Sequence, residues 1–185
     1  MSKQRWSEVF ASAQGNGTAN TAGTAASLLP GSALKTLPAN YFDTVGQAIL
    51  LRASGRISSV ITTPGTARFD VRLGGTVVFD GLAILLDTVA AHADVAWELE
   101  IALTLRAVGK TANFWGIGKW SSEDILGVPA TAPKGVLTAM LPWNTVPVIG
   151  ANFDATVAQE LDLFFTQTAA SGSCQLHQYW AESKN

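Results

Sequence analysis

The sequence has little charge and almost no cysteine. Charged residues make up 14% of the 185-residue chain, against roughly 25% in ordinary soluble domains. Cys174 is the only cysteine, which excludes an intrachain disulfide and a multi-cysteine zinc site. The 12 basic and 14 acidic residues are mixed along the chain, so no concentrated basic face indicates a nucleic-acid partner. A surface of Thr, Ser, Ala and Gly suits packing against copies of the chain or a scaffold, although an ordinary β-rich protein with a weakly charged surface has the same composition.

Long apolar runs are also missing. Lys3 and Arg5 are followed by Trp6, Ser7 and Glu8, so the apolar stretch of a secretory signal is absent from this region. No segment approaches the roughly 18 uninterrupted apolar residues of a membrane span. We therefore expect no membrane partner, and a chain that is made in the cytoplasm and stays soluble or leaves it within an assembly.

The strongest positive pattern lies between Val95 and Arg106. Every odd position there is large and apolar, while the even positions are small or polar. This period of two predicts a long strand that is buried on one face. Strands of that length belong to large sandwiches or barrels, so the rest of the chain must accommodate it.

Similar alternation recurs along the chain from Tyr41 onward. We predict about eight strands, no long helix, and a long irregular connection over residues 121–150. The predicted fold is all-β, an antiparallel jelly-roll sandwich over residues 41–185. The predicted strands are 48–58, 66–73, 76–80, 82–86, 95–106, 111–120, 155–167 and 173–181.

Residues 1–40 differ in character, and we interpret them as an N-terminal arm and linker. A short helical turn is expected over Lys3–Ser12, followed by a run over 14–27 with nothing large enough to bury. The arm either docks on its own domain or anchors on a neighbouring subunit. In the second case the expected anchors are Trp6, Phe10, Leu28 and Leu29, and deletion of residues 1–27 should leave a folded domain that no longer binds its scaffold.

No sequence motif carries catalytic chemistry. His92 lies between Asp87 and Asp94 and would make a weak metal site at best, so a solvated loop is favoured. Glu98 and Glu100 share a strand face about 7 Å apart and would imitate a glycosidase carboxylate pair, but solvent-facing charges that discourage aggregation are the favoured explanation. We predict no catalytic residue, no bound cofactor and no metal site.

Six tryptophans are many for a chain of this length. Trp115, Trp143 and Trp180 cannot all share the inward parity of their neighbours. On a jelly roll such side chains stack on sugar rings, fill a subunit interface or complete the core. All three alternatives remain open from the sequence.

Several stretches resemble structural proteins of tailed bacteriophages. The resemblance begins with LLPGSALKTLPANYFD at residues 28–43, Val45-Gly46 and RASGRIS at 52–58, and continues through VRLGG at 71–75 and FWGIG at 114–118. It implies a jelly-roll virion protein: a capsid decoration (cement) protein, a head fibre or spike, or a tail-associated component, commonly a homotrimer.

Together these features predict a non-enzymatic structural protein of a bacteriophage virion, in first place a capsid decoration protein that stabilises the particle through subunit contacts and its arm. Its expected partners are copies of itself, as a homotrimer, and the major capsid protein or other virion proteins. Its expected location is the virion, assembled in the host cytoplasm. The alternative is a carbohydrate-binding receptor-recognition module of a fibre or spike. A third possibility, a glycan hydrolase, requires a deep cleft with converging carboxylates.

Overall fold

A computed structural model describes residues 7–61, 65–126, 136–168 and 170–184. These residues form twelve strands and a single turn of 3-10 helix at Gly109–Thr111. The strands are β1 (Ser7–Ser12), β2 (Ala26–Ser27), β3 (Lys35–Leu37), β4 (Ala48–Ser59), β5 (Thr66–Leu73), β6 (Thr76–Asp80), β7 (Ile84–Leu85), β8 (His92–Ala107), β9 (Asn113–Leu126), β10 (Val136–Leu141), β11 (Gln159–Gln167) and β12 (Ser173–Lys184).

The strands form two antiparallel sheets. Sheet A has the order β1-β12-β4-β8-β9-β10, and sheet B has the order β2-β11-β5-β6, with β3 also pairing to β11 and β7 to β5. The pairs β4–β12 and β5–β11 join early strands to late ones, as jelly rolls do. The predicted all-β antiparallel sandwich is therefore confirmed. Each of the eight predicted strands overlaps an observed strand, and β1, β2, β3 and β10 are additional.

The long strand β8 lies in the middle of sheet A. The odd-numbered positions from Trp97 to Leu105 are at most 2% exposed, as the alternation predicts. Between the sheets, the ring of Phe69 in sheet B lies 5.1 Å from Trp97 and 5.0 Å from Trp120, both in sheet A. A third ring, Phe165, lies 5.1 Å from Phe69. Aromatic contacts at these separations add to the hydrophobic burial that holds the two sheets together.

The helical turn predicted over Lys3–Ser12 is wrong for residues 7–12, while residues 3–6 lie outside the described residues. Ser7–Ser12 forms strand β1, which pairs with β12 from Ser7 opposite Lys184 to Ser12 opposite Trp180. The helical expectation used only the local spacing of apolar residues. The pairing instead satisfies backbone groups along β12 that would otherwise form an open edge of sheet A.

The run predicted to be a linker is fixed to both sheets through Asn20. Its backbone N–H donates to the carbonyl of Cys174 in sheet A over 2.9 Å. Its side-chain Nδ2 donates to the carbonyl of Phe165 in sheet B over 3.0 Å, and Asn20 is only 5% exposed. The described part of residues 1–40 therefore docks on its own domain, which is the first of the two alternatives considered for this segment.

Two further differences involve strand ends. Val157 lies within the predicted strand 155–167 but is 49% exposed, because β11 begins only at Gln159. Strand β9 continues past Trp120 to Leu126, although the polar residues after Trp120 suggested its end. Within the described ranges, no helix combines the length and apolar composition needed to cross a membrane.

Candidate functional site: the outer face of sheet A

The side of sheet A that faces away from the core carries an unusual number of apolar residues. Leu50 on β4 is the register partner of Ala102 on β8, and Ala102 is the partner of Ile117 on β9. All three are partly exposed. Exposed faces of antiparallel sheets ordinarily alternate to polar residues, so this row of three is a departure that needs an explanation. We call this side of sheet A the outer face.

A charged row lies beside the apolar one. Arg52, Glu100 and Lys119 are successive register partners on β4, β8 and β9. The Nε of Arg52 lies 2.8 Å from a carboxylate oxygen of Glu100, and both side chains are more than 40% exposed. An exposed pair of this kind contributes at most about 1 kcal/mol to stability. Its effect on the outer face is to place both charge signs next to apolar surface.

Two tryptophans lie diagonally across the outer face. Trp180 is the register partner of Arg52, whose guanidinium carbon is 6.0 Å from its ring centre, and Trp115 lies 5.9 Å from the guanidinium carbon of Arg106. Both indoles are partly exposed, whereas Trp143 packs against the core. Three strand spacings, about 14 Å, separate the two outer-face tryptophans across the sheet. Their outward parity resolves the conflict noted in the sequence.

An exposed apolar strip follows the β10 edge of sheet A. Six of the thirteen most exposed large apolar side chains of the described residues lie between positions 136 and 149. The β10 sequence VLTAML has neither a charge nor a proline, which are the usual protections of an edge strand. We call these six residues the edge strip: Val136, Leu137, Met140, Val146, Val148 and Ile149, which are between 42% and 75% exposed.

The edge strip continues directly into the outer face. Met140 is the register partner of Lys119, and Ile149 makes an isolated bridge with Trp115. Cross-strand partners in an antiparallel pair point to the same side of a sheet. The two regions therefore form one surface that runs from the middle of sheet A to its β10 edge.

The predicted anchor residues of the arm occupy different environments. Leu28 and Leu29 are 0% and 6% exposed and belong to the hydrophobic core. Phe10 is partly buried, with its ring 5.9 Å from that of Tyr41. Trp6 lies outside the described residues. Burial makes Leu28 and Leu29 unsuitable as surface anchors in this chain, while contact of Phe10 or Trp6 with another subunit stays a prediction.

His92 lies between Asp87 and Asp94 in the sequence, but in the structure its neighbours are Asp87 and Asp124. The Nε2 of His92 lies 3.0 Å from Asp87 and 3.9 Å from Asp124, whereas Asp94 is exposed and lies 4.0 Å from Arg56. Burial acts to raise the pKa of the Asp87 carboxyl. Hydrogen bonds from His92 and from backbone N–H groups outweigh that effect, so its pKa lies below the ordinary value.

Two larger cavities open on the described surface. One, of about 580 Å³, is lined by the loop over residues 41–47 and by Ser183. The other, of about 420 Å³, lies between β6 and the segment 142–151. Among the described lining residues, the first contains the single carboxylate Asp43 and the second the single carboxylate Asp80. Neither has the pair of carboxylates that the glycan-hydrolase hypothesis requires.

Comparison with known proteins adds little. No protein-family model matches the sequence, and no curated protein matches it. Among solved structures, the chain is similar to the CBM2 module of the evolved Dit of Lactobacillus casei BL23 phage J-1. The identity is 12%, the TM-score is 0.32, and the match covers 80% of this chain and 67% of the other. A likeness at this TM-score does not indicate a function. Evidence for the function therefore comes from the outer face and the edge strip.

Proposed function

We propose that this chain is a structural protein of a bacteriophage virion, and that its outer face and edge strip pack against copies of itself and other virion proteins. The observation that carries the proposal is the continuity of the two regions across the Met140–Lys119 and Ile149–Trp115 partners. One apolar surface with a charged row beside it has the composition of a subunit interface.

The unprotected edge supports the same proposal. An exposed strand without charge or proline offers free backbone groups and apolar side chains to any extended chain. Two neighbouring residues of the edge strip, Leu137 and Met140, are 60% and 56% exposed. An assembly that covers this edge removes the aggregation hazard. It also gains a hydrophobic free energy of about 25 cal/mol for each Å² of apolar surface that it buries.

The viral role is supported by the resemblance of residues 28–43 and 52–58 to virion proteins of tailed phages. Within the virion, we assign the chain to capsid decoration, as a homotrimer that stabilises the shell. Mass spectrometry of purified virions would check the location, because a decoration protein is present in stoichiometric amounts on mature particles. Absence of the chain from purified virions would contradict the virion assignment.

The oligomeric state tests the proposed surface. We expect sedimentation equilibrium to give three times the 19.4 kDa chain mass, and the double variant Leu137→Lys, Met140→Lys to sediment as a monomer because each lysine would have to be desolvated in the interface. Val157→Lys is the matched control, since Val157 is 49% exposed but lies outside the edge strip. The control should keep the wild-type mass.

A monomeric wild-type protein at every concentration tested would contradict self-association. So would a double variant whose mass equals that of the wild type. Circular dichroism of all three proteins distinguishes loss of association from loss of fold.

A second candidate function is carbohydrate binding on the outer face, favoured by the partly exposed indoles of Trp115 and Trp180. Flat sheet faces with exposed indoles offer stacking surfaces to sugar rings. Glycan-array binding that Trp115→Ala or Trp180→Ala abolishes, while the oligomeric state is unchanged, would favour this function. Trp143→Phe is the control, because Trp143 packs against the core.

A further inference from the structure

Three side chains from two separate parts of the chain meet at one end of the sandwich. Asp87 follows β7 of sheet B, His92 begins β8, and Asp124 lies near the end of β9. One ligand-type atom from each lies within 4.8 Å of the other two. The antiparallel pairing of β8 with β9 brings His92 and Asp124 together, and the turn between β7 and β8 adds Asp87.

Both carboxylates are removed from solvent. Asp87 is 1% exposed and Asp124 is 0% exposed. Within the described residues, the imidazole of His92 is the one basic side chain within 4.0 Å of either carboxylate. Burying two carboxylates at this separation is costly unless positive charge compensates them. A single imidazole, even when protonated, supplies half of that compensation.

Three of the four carboxylate oxygens in the cluster have a partner among the described residues, and the fourth has none. Asp124 Oδ1 accepts the backbone N–H of Asp87 at 3.1 Å, and Asp87 Oδ1 accepts the backbone N–H of Val89 at 2.7 Å. Asp87 Oδ2 lies 3.0 Å from the Nε2 of His92. The other oxygen of Asp124, Oδ2, is buried and has no hydrogen-bond partner among the described residues. Buried polar atoms almost always have a partner, so this carboxylate lacks a ligand.

We propose that Asp87, His92 and Asp124 bind a divalent transition-metal ion of the zinc class. One imidazole nitrogen and two carboxylate oxygens are donors that Zn²⁺ accepts. Ligand atoms around a tetrahedral ion at about 2.0–2.1 Å are themselves about 3.3 Å apart. The Nε2 of His92 lies 3.0 Å from Asp87 Oδ2 and 3.9 Å from Asp124 Oδ1, one distance below that value and one above it. Small side-chain movements would therefore bring these atoms to the separations that a bound ion requires.

The bound ion would have a structural effect on the sandwich. It would connect the segment after β7, in sheet B, to β8 and β9 in sheet A, at the end where β8 begins. The side chain of His92 is 18% exposed, which leaves a path for the ion and for a water molecule as fourth ligand. Metal binding of this kind stabilises the folded state by RT ln(1 + c/Kd), where c is the concentration of free Zn²⁺, so the stability rises with that concentration.

The test uses the full chain, stripped with a chelator and dialysed. Isothermal titration with ZnCl₂ should give one ion per chain, and saturating Zn²⁺ should raise the melting temperature. Asp124→Asn keeps the side-chain shape but removes the charge, and we expect it to weaken Zn²⁺ binding by at least about tenfold. His92→Gln should do the same. A parallel titration with MnCl₂ ranks the two metals.

His177→Gln is the matched control, because His177 accepts a hydrogen bond from Arg56 and makes no ion pair with a carboxylate of the described residues. It should bind Zn²⁺ as the wild type does. Circular dichroism of the metal-free proteins establishes that each variant is folded before its affinity is compared. The proposal is overturned if the wild type binds no stoichiometric ion, or if both His92→Gln and Asp124→Asn retain wild-type affinity.

Discussion

The hydroxyl of Tyr179 is a polar group buried in the hydrophobic core. Tyr179 lies on β12 with its side chain in the core and is 2% exposed. Its hydroxyl oxygen has no hydrogen-bond partner among the described residues, and burial raises the pKa of the phenol, so it stays protonated. A buried polar group without a partner costs about 1–3 kcal/mol.

Replacing this residue should therefore stabilise the fold. We expect Tyr179→Phe to increase the free energy of unfolding by about 1 kcal/mol, which corresponds to a rise of about 2–4 °C in melting temperature for a domain of this size. Thermal unfolding followed by circular dichroism measures the change. A melting temperature below that of the wild type would indicate that the hydroxyl has a partner that the structure does not describe.

For single residues, the sequence predicted which side chains of a strand point inward. It did not predict which side chains from different strands contact each other. The alternation from Trp97 to Leu105 directly gives the buried face of β8, because a strand has a strict period of two. The partnership of His92 with Asp124 was missed because it depends on how far β9 continues beyond Trp120. The polar run SSED at 121–124 resembles the end of a strand, and only the register with β8 shows that it continues.

At the scale of elements, the contact between β4 and β12 depends on one glycine. The β12 register shifts between Leu176 and Gln178, opposite Gly55 on β4. A Cβ at position 55 would overlap the backbone carbonyl of Gln175. The irregularity therefore lies on β12, while Gly55 provides the space that the close approach of the two strands requires.

Adding a methyl group at this position should be destabilising. We expect Gly55→Ala to lower the free energy of unfolding by at least about 2 kcal/mol, because the overlapping atom is backbone and cannot rotate away. Urea unfolding checks the value. Gly31→Ala is the control, since a Cβ there meets no atom within 4 Å; equal stability of the two variants would contradict the close approach.

Element by element, the strands were easier to predict than their extent. Every strand from β4 to β9, together with β11 and β12, was visible as alternation of apolar and polar residues. The N-terminal strands were missed because β2 and β3 span only two and three residues and the pairing partners of all three strands lie more than a hundred positions away, as in the Ser27–Phe164 pair. The sequence predicted only part of the candidate surface. The outward orientation of Trp115 depends on the register of β9 against β8, which composition does not give.

At the scale of the whole molecule, the described residues 7–40 hold the sandwich together. Strand β1 covers β12 at one edge of sheet A, while β2 and β3 pair with β11 in sheet B. Leu28 is fully buried between them, and its backbone N–H donates to the carbonyl of Leu163 over 2.9 Å. Removing this segment would expose core residues as well as strand edges.

This arrangement reverses the expectation for the truncated protein. We expect deletion of residues 1–27 to lower the melting temperature and to cause aggregation, because β12 loses its partner and becomes an open edge. Deletion of residues 1–6 alone is the control, since β1 begins at Ser7. Differential scanning calorimetry with light scattering compares the three proteins. A 28–185 fragment as stable as the full chain would contradict the structural role.

The pairing of Ser7 with Lys184 places the first and last described residues side by side at one corner of the sandwich. The order of sheet A puts β10 at the opposite border, five strand spacings or about 24 Å away. Neighbouring termini are the feature that makes circular permutation tolerable. A peptide or fluorescent domain joined genetically before Ser7 or after Lys184 would thus attach at the border of sheet A opposite the proposed assembly surface, which makes the molecule a natural carrier for displayed cargo.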